Sequence, residues 1–186
     1  SNDKSEEAIK ILRTCVSKAP ENPMFLYYIG KIYLLGDKKK LSDKYFKKAL
    51  KVDPLYYQAA IGRGLLREEK EDYVGAAKIY KDYLSKDNEN ITILNRLVQA
   101  YFISEEFVKI VPYLEELIRQ DMDNINLKVK LGIIYTENKS YIKAIKVFKE
   151  ILSVAPESDK ILYYLGALYQ QLEEYESAIS YYSKIE

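Results

Sequence analysis

The sequence predicts an all-α solenoid of antiparallel helix pairs, about eleven helices in 34-residue repeats. Three observations predict it. Glycines fall at Gly30, Gly64, Gly132 and Gly166, so neighbours lie one or two repeat lengths apart, with Val98 in the vacant place. Four further columns keep the same phase along the whole chain without an insertion. Within each period, apolar residues fall at helical rather than strand spacing.

The columns assign the elements in order. Three residues after the glycine places stand Tyr33, Arg67, Tyr101, Tyr135 and Tyr169. A small-residue column reads Ala8, Ser42, Ala76, Ile110, Ala144 and Ala178, and four residues on comes Leu12, Phe46, Tyr80, Leu114, Phe148 and Tyr182. Pro20, Pro54 and Pro156 close three units, with Asn88 and Met122 in the intervening places. A half unit (residues 4–22) therefore precedes full units at 23–56, 57–90, 91–124 and 125–158, and a nearly full one at 159–186. In the unit of 23–56, Leu26, Ile29, Gly30 and Tyr33 make an i, i+3, i+4, i+7 stripe. Gly36-Asp37 breaks that helix, and a second stripe runs through Ser42, Phe46, Ala49 and Leu50. Asn22-Pro23 is a helix start, with a capping side chain and proline in the first turn, and Asp53-Pro54 is expected to open the next helix likewise. The glycine column lets paired helices cross closely, and the small column faces it.

The consensus of large residue, leucine, glycine and tyrosine in one helix, then alanine, aromatic, alanine and proline in and after the next, resembles the tetratricopeptide repeat. Leu162, Leu165, Gly166, Tyr169, Ala178 and Tyr182 match it, as do Leu26, Gly30, Tyr33, Phe46, Ala49 and Pro54. The resemblance covers nearly the whole chain. It implies a right-handed superhelix whose first helices line a concave surface, and a role in binding protein; the motif itself specifies fold far more than function. Such stacks need polar capping helices. Ile179, Tyr182 and Ile185 instead fall on a face with no successor, so either the sequence is an excerpt of a longer repeat protein or the chain self-associates through its last helix.

Composition narrows the chemistry. The 186 residues are 48% hydrophobic and 31% charged, as a folded chain requires, and they include no histidine and no tryptophan. The usual general base and the commonest metal ligand are thus missing, no glycine-rich phosphate loop or metal-ligand spacing occurs, and neither an enzyme nor a cofactor is expected. Net charge is +1, without the basic excess of a nucleic-acid binder. No apolar run reaches about 18 residues, so no transmembrane segment is expected. The lone Cys15 lies on an apolar face and reads as a small core residue. The compartment stays open, the cytoplasm being favoured over a periplasmic or membrane-tethered place.

The expected function is a scaffold that binds a peptide or partner protein in the groove, with homotypic assembly as the alternative, and helical-repeat RNA binding or the non-catalytic part of an enzyme behind it. The candidate residues are those the core stripe does not need. Tyr27 and Tyr28 recur as Tyr163 and Tyr164, four repeats later. The column of Tyr28 continues as Gly62, Arg96, Lys130 and Tyr164, with Lys31, Asn95 and Gln99 beside it. Two cations among amides suit a carboxylate, while Glu68, Glu69 and Glu137 make an acidic margin. The partner is then an extended peptide or helix carrying aromatic or acidic residues. Some tetratricopeptide proteins clamp the acidic tails of chaperones; Asn95, Arg96 and Lys130 match that clamp only in part, and Ile61, Gly62 and Leu65 stand where polar residues belong, so chaperone binding is not assigned.

Three irregularities remain. Arg63 and Arg67 stand in apolar and tyrosine columns, where an unpaired buried guanidinium costs several kcal/mol. Rotation of the helix onto Ile61, Leu65 and Leu66 is expected, or pairing of Arg67 with Glu71. Pro112 should kink or shift its helix. Val98 and Ile110 enlarge both sides of one crossing and predict a wider one. A basic cluster, Lys38, Lys39, Lys40, Lys44, Lys47 and Lys48, reads as a solvated face or as a site for an anionic membrane surface or acidic partner.

Overall fold

A computed structural model describes residues 2–185. All regular structure among them is helical, in eleven helices. They fall into two compact units, Ser1–Ser104 and Glu105–Glu186. The first holds α1 (Asn2–Lys18), α2 (Pro23–Leu35), α3 (Lys39–Val52), α4 (Tyr57–Glu68), α5 (Tyr73–Leu84) and α6 (Ile91–Ile103); the second holds α7 (Phe107–Gln120), α8 (Ile125–Glu137), α9 (Tyr141–Val154), α10 (Asp159–Gln171) and α11 (Tyr175–Tyr182). The division falls between the two helices of the 91–124 repeat. In each unit every helix packs against its neighbours in sequence.

The period is kept in space. First helices begin at Pro23, Tyr57, Ile91, Ile125 and Asp159, and second helices at Lys39, Tyr73, Phe107, Tyr141 and Tyr175, each series advancing by one repeat at a time. The turn between them explains the regularity. Five residues in the same register take left-handed backbone: Asp37, Glu71, Glu105, Lys139 and Glu173, with φ from 55° to 62°. Behind four of them, Lys38, Asp72, Ser140 and Glu174 donate backbone N–H to Tyr33, Arg67, Tyr135 and Tyr169 at 2.8–3.0 Å, closing the helix in a Schellman turn. The left-handed place is therefore Asp37, not Gly36, which stays at φ −88°.

Glycine columns act as expected. A side chain on Gly30 would meet the Phe46 ring at 2.7 Å, and one on Gly132 the Phe148 ring at 2.6 Å. Asn22, Asn90 and Asn124 cap α2, α6 and α8 by accepting from Met24, Ile93 and Leu127 N–H. Asp53 does not start a helix; it closes a turn by accepting from Leu55 N–H at 2.8 Å, and α4 begins at Tyr57. Pro112 lies inside α7 without shifting its ends, which stay one repeat length ahead of those of α9. It forgoes a bond to the carbonyl of Val108, a residue well exposed to water. Val98 belongs to the first unit and Ile110 to the second, and each is buried. Cys15 is a half-buried free thiol.

Candidate functional site

In the first unit, Tyr27 is the hub of an aromatic cluster. Its ring centroid lies 5.6 Å from Phe46, 5.4 Å from Tyr28 and 5.5 Å from Tyr56, the last two edge to face. Such pairs contribute about 0.5–1.5 kcal/mol beyond their buried area. Lys31 holds its ammonium 5.8 Å from the Tyr27 and Tyr28 rings alike. Burial, then the neighbouring Tyr28 and Tyr57, raises the Tyr27 hydroxyl above its ordinary pKa. Burial raises Tyr56 as well, with Tyr27, Tyr28 and Tyr57 adding to it. Tyr28 is 44% exposed and Tyr57 36%, and Met24, one turn before Tyr28, is also exposed.

Tyr56 and Tyr57 were not among the expected site residues. The signal was present in the capping column, which reads Asn22, Tyr56, Asn90, Asn124 and Ser158. Tyr56 makes no side-chain cap for α4. Losing such a cap costs about 1 kcal/mol, and the ring placed there completes the cluster on Tyr27.

Of the expected basic middle, Arg96 is engaged within the first unit. Arg96 Nη1 lies 3.5 Å from Glu68 Oε2. The other oxygen of Glu68 accepts from the Tyr80 hydroxyl at 2.6 Å, and burial together with that carboxylate pushes the phenol far above its usual range. Lys39 takes Glu69 at 2.7 Å. Two of the acids expected as a groove margin, Glu68 and Glu69, thus neutralise cations of their own unit. Asn95 Nδ2 donates to the Ile91 carbonyl at 2.9 Å, while Gln99, one turn on, is exposed. Gly62, in the column of Tyr28 and Arg96, is buried against an edge of the Phe46 ring, where a side chain would meet it at 2.6 Å.

The arginine anomaly resolves by pairing. Arg63 Nε donates to Asp43 Oδ1 at 2.9 Å, and Lys47 takes the other oxygen at 2.9 Å. Burial opposes charge on Asp43, but these two cations outweigh it and hold the carboxyl below its ordinary value. Arg67 Nη1 donates to Asp72 Oδ2 at 3.0 Å, so Asp72 and not Glu71 is its partner. The expected rotation of α4 does not occur. Gly62 and Gly64 remain at the crossings, which leaves Leu65 36% exposed instead of in a substitute core.

In the second unit the tyrosine pair is arranged the other way round. Tyr164 stacks on Phe148 at 5.0 Å and 17°, and Tyr163 is the exposed member, at 58%. Tyr163 approaches Tyr182 at 5.9 Å, as Tyr27 approaches Phe46. Tyr182 lies over Gly166, so of the apolar residues expected on a free face of α11 it is packed within its own hairpin, whereas Ile179 stays exposed. Lys130 and Glu137 are exposed.

Each unit also has a cavity in the same register. One of about 860 Å³ is lined by Lys10, Arg13, Thr14, Ser17, Tyr33 and Lys38, and one of about 670 Å³ by Lys146, Lys149, Glu150, Ser153, Tyr169 and Glu174. Both abut a ladder of two rings and two cations. Arg13 lies 3.3 Å from the Tyr33 hydroxyl, Tyr33 is 5.4 Å from Tyr45, and Lys48 sits 5.1 Å over Tyr45. Its counterpart four repeats on runs from Lys149 to Tyr169 at 5.4 Å, to Tyr181 at 5.5 Å, and to Lys184 at 5.4 Å. Among the described residues no three His, Cys, Asp or Glu side chains gather as metal ligands, and no helix is long and apolar enough to cross a membrane.

Family profiles described as tetratricopeptide repeat match residues 42–91 in one form and residues 25–54, 125–158 and 159–185 in another. No curated protein matches the sequence. Among solved structures, YrrB, described as a TPR protein with an unusual peptide-binding site, aligns with a TM-score of 0.70 and 18% identity over 93% of this chain and 89% of that chain. The Naa15/Naa10 complex bound to HypK-THB aligns with a TM-score of 0.81 and 16% identity over 97% of this chain, which spans only 29% of that one. The MamA protein aligns with a TM-score of 0.67 and 20% identity over 89% of this chain and 90% of that chain.

Proposed function

The chain belongs to the tetratricopeptide repeat family, and from that premise we propose that it is a scaffold that holds a peptide segment of a partner protein. Its principal anchor is the cluster of Tyr27, Tyr28, Tyr56 and Tyr57 with Lys31. The observation that carries this reading is Tyr56: one cap of the repeat is given up for a ring that has half-exposed aromatics around it. Rigid rings with a hydroxyl at the edge bury much area at little entropic cost, and such residues dominate binding energy at interfaces. Lys31, over two ring faces, favours a carboxylate beside the partner's apolar or aromatic residue. Asn95 and Gln99 supply amides on α6 of the same unit. Lys130, Tyr163 and Tyr164 make a second, separate contact surface in the other unit, while Arg63, Arg67 and Arg96 serve mainly as ion pairs within the first. YrrB's peptide-binding site and the HypK-bound complex support the class of partner, since both carry this fold.

Display selection of peptides on the 186-residue chain tests the proposal, with the Tyr28→Ala, Tyr57→Ala double variant as the counter-selection target. Both side chains are partly exposed, so folding is expected to survive. Peptides enriched by the native chain and rejected by the variant, carrying an aromatic residue next to an acid, are the expected result. Equal recovery on both would end the assignment.

A second reading, self-association through α11, rests on the exposed Tyr175 and Ile179. It predicts a sedimentation coefficient that rises with concentration and reverts in the Ile179→Lys variant.

A further inference from the structure

We infer that the outer face of α3 is an electrostatic docking surface for an anionic lipid bilayer, separate from the aromatic cluster. Lys40, Lys44, Lys47 and Lys51 follow an i, i+4, i+7, i+11 spacing, which puts all four ammonium groups on one stripe about 17 Å long. They surround a shallow depression of about 330 Å³, shared with Lys48 and Asp43. Residues 38–51 hold seven lysines against one aspartate, net +6, in a chain of net +1, so the remainder carries −5. The corresponding helices concentrate nothing similar: α5 has two lysines and an aspartate, and α9 three lysines and a glutamate.

Local demand does not use up this charge. Asp43 is the one acid in α3, and it is shared by Lys47 and Arg63. Lys48 sits over the Tyr45 ring. Lys40, Lys44 and Lys51 have no ion-pair partner among the described residues, and all three are exposed. Like charges at i, i+4 repel, so the stripe weakens its own helix until a polyanion covers it.

The side chains favour a fluid surface over a shaped acidic peptide. Every cation of the stripe is lysine, a mobile point charge, and none is arginine, whose fixed fork suits bidentate recognition of a carboxylate. No aromatic residue on the stripe offers a base-stacking platform, which disfavours single-stranded nucleic acid. Leu41 and Val52 are exposed on one shoulder of the stripe, where short aliphatic chains can enter the headgroup layer while lysine stems reach past them.

Co-sedimentation of the 186-residue chain with phosphatidylcholine vesicles containing about 30 mol% phosphatidylserine tests this. Binding is expected to the anionic vesicles and not to pure phosphatidylcholine, and to disappear between about 0.1 M and 0.5 M salt. Changing Lys40, Lys44, Lys47 and Lys51 to Gln is expected to cost roughly fivefold in partitioning for each lysine. Changing Lys10, Lys18, Lys70 and Lys78 to Gln, an equal loss of charge elsewhere, is expected to leave most of the binding; circular dichroism checks the fold of both variants. The inference is overturned by equal binding to neutral vesicles, by equal losses in the two variants, or by tighter binding of polyglutamate or an RNA oligonucleotide than of the vesicles. Because Tyr28 and Tyr57 are intact in both variants, failure here leaves the peptide site standing.

Discussion

Phe46 and Phe148 occupy the same column of the repeat, one in each unit, and meet different neighbours. Phe46 is held between Gly30 and Gly62, one glycine at each edge of its ring, with Tyr27 tilted against it. Phe148 has Gly132 at the tip of its ring and the ring of Tyr164 stacked against it. Gly62 and Tyr164 are themselves equivalent, each two residues before a column glycine. The same logic explains the tyrosine pairs. Tyr164 has Phe148 to stack on, whereas the corresponding place before Tyr28 holds Leu12, an aliphatic chain with no ring face. Tyr28 is therefore left exposed and Tyr27 turns to Phe46 and Tyr56. Equivalence in the repeat fixes where a backbone goes; the size of one neighbour decides which side chain faces water.

The largest test of this contrast is truncation of the two phenylalanines. Phe46→Ala is expected to cost about 3–5 kcal/mol, because the flanking glycines have no side chains to fill the void and Tyr27 is also engaged by Tyr28 and Tyr56. Phe148→Ala should fall at the lower end of that range, since Tyr164 can lean into the space. Urea denaturation of the two variants checks the order, and equal losses would break it. Next in size, Gly62→Ala should cost about 1–3 kcal/mol by forcing Phe46 aside. In the other unit, Tyr164→Ala removes a half-buried ring without overpacking and should cost less.

The period, the helix pairs and the close crossings were legible because they depend on steric columns repeated along one chain. The arginines were not. Their partners Asp43 and Asp72 are distant or lie past a turn, and periodicity does not say which acid a long side chain reaches. Arg96 fell to the same limit: its pairing with Glu68 is set by how α4 meets α6. The helix start expected at Asp53-Pro54 failed because a capping pattern serves a turn as well as a helix. Tyr56 was readable, but only by laying the capping residues in their own column and asking why one is aromatic.

Alkali should act on both units. Burial and Asp87 push the Tyr83 hydroxyl up to about 12, and burial and Glu115 do the same for Tyr135, from an ordinary 10.0. A raised folded value favours the neutral phenol. Stability is therefore full below pH 10 and declines as pH rises through 12. Tyr83→Phe and Tyr135→Phe should each flatten the decline, measured as the urea midpoint against pH. The smallest effect belongs to the turns. Glu71→Gly and Lys139→Gly relieve left-handed backbone and should stabilise by about 0.5–1 kcal/mol each, equally in both units.

The central claim, that the first unit's aromatic cluster anchors the partner, is tested most directly by calorimetric titration of one selected peptide into three chains: native, Tyr28→Ala with Tyr57→Ala, and Tyr163→Ala. Binding about thirtyfold weaker is predicted for the double variant, a loss of hot-spot size, with a smaller change for Tyr163→Ala. Unchanged affinity in the double variant, or a larger loss from Tyr163→Ala, would contradict it.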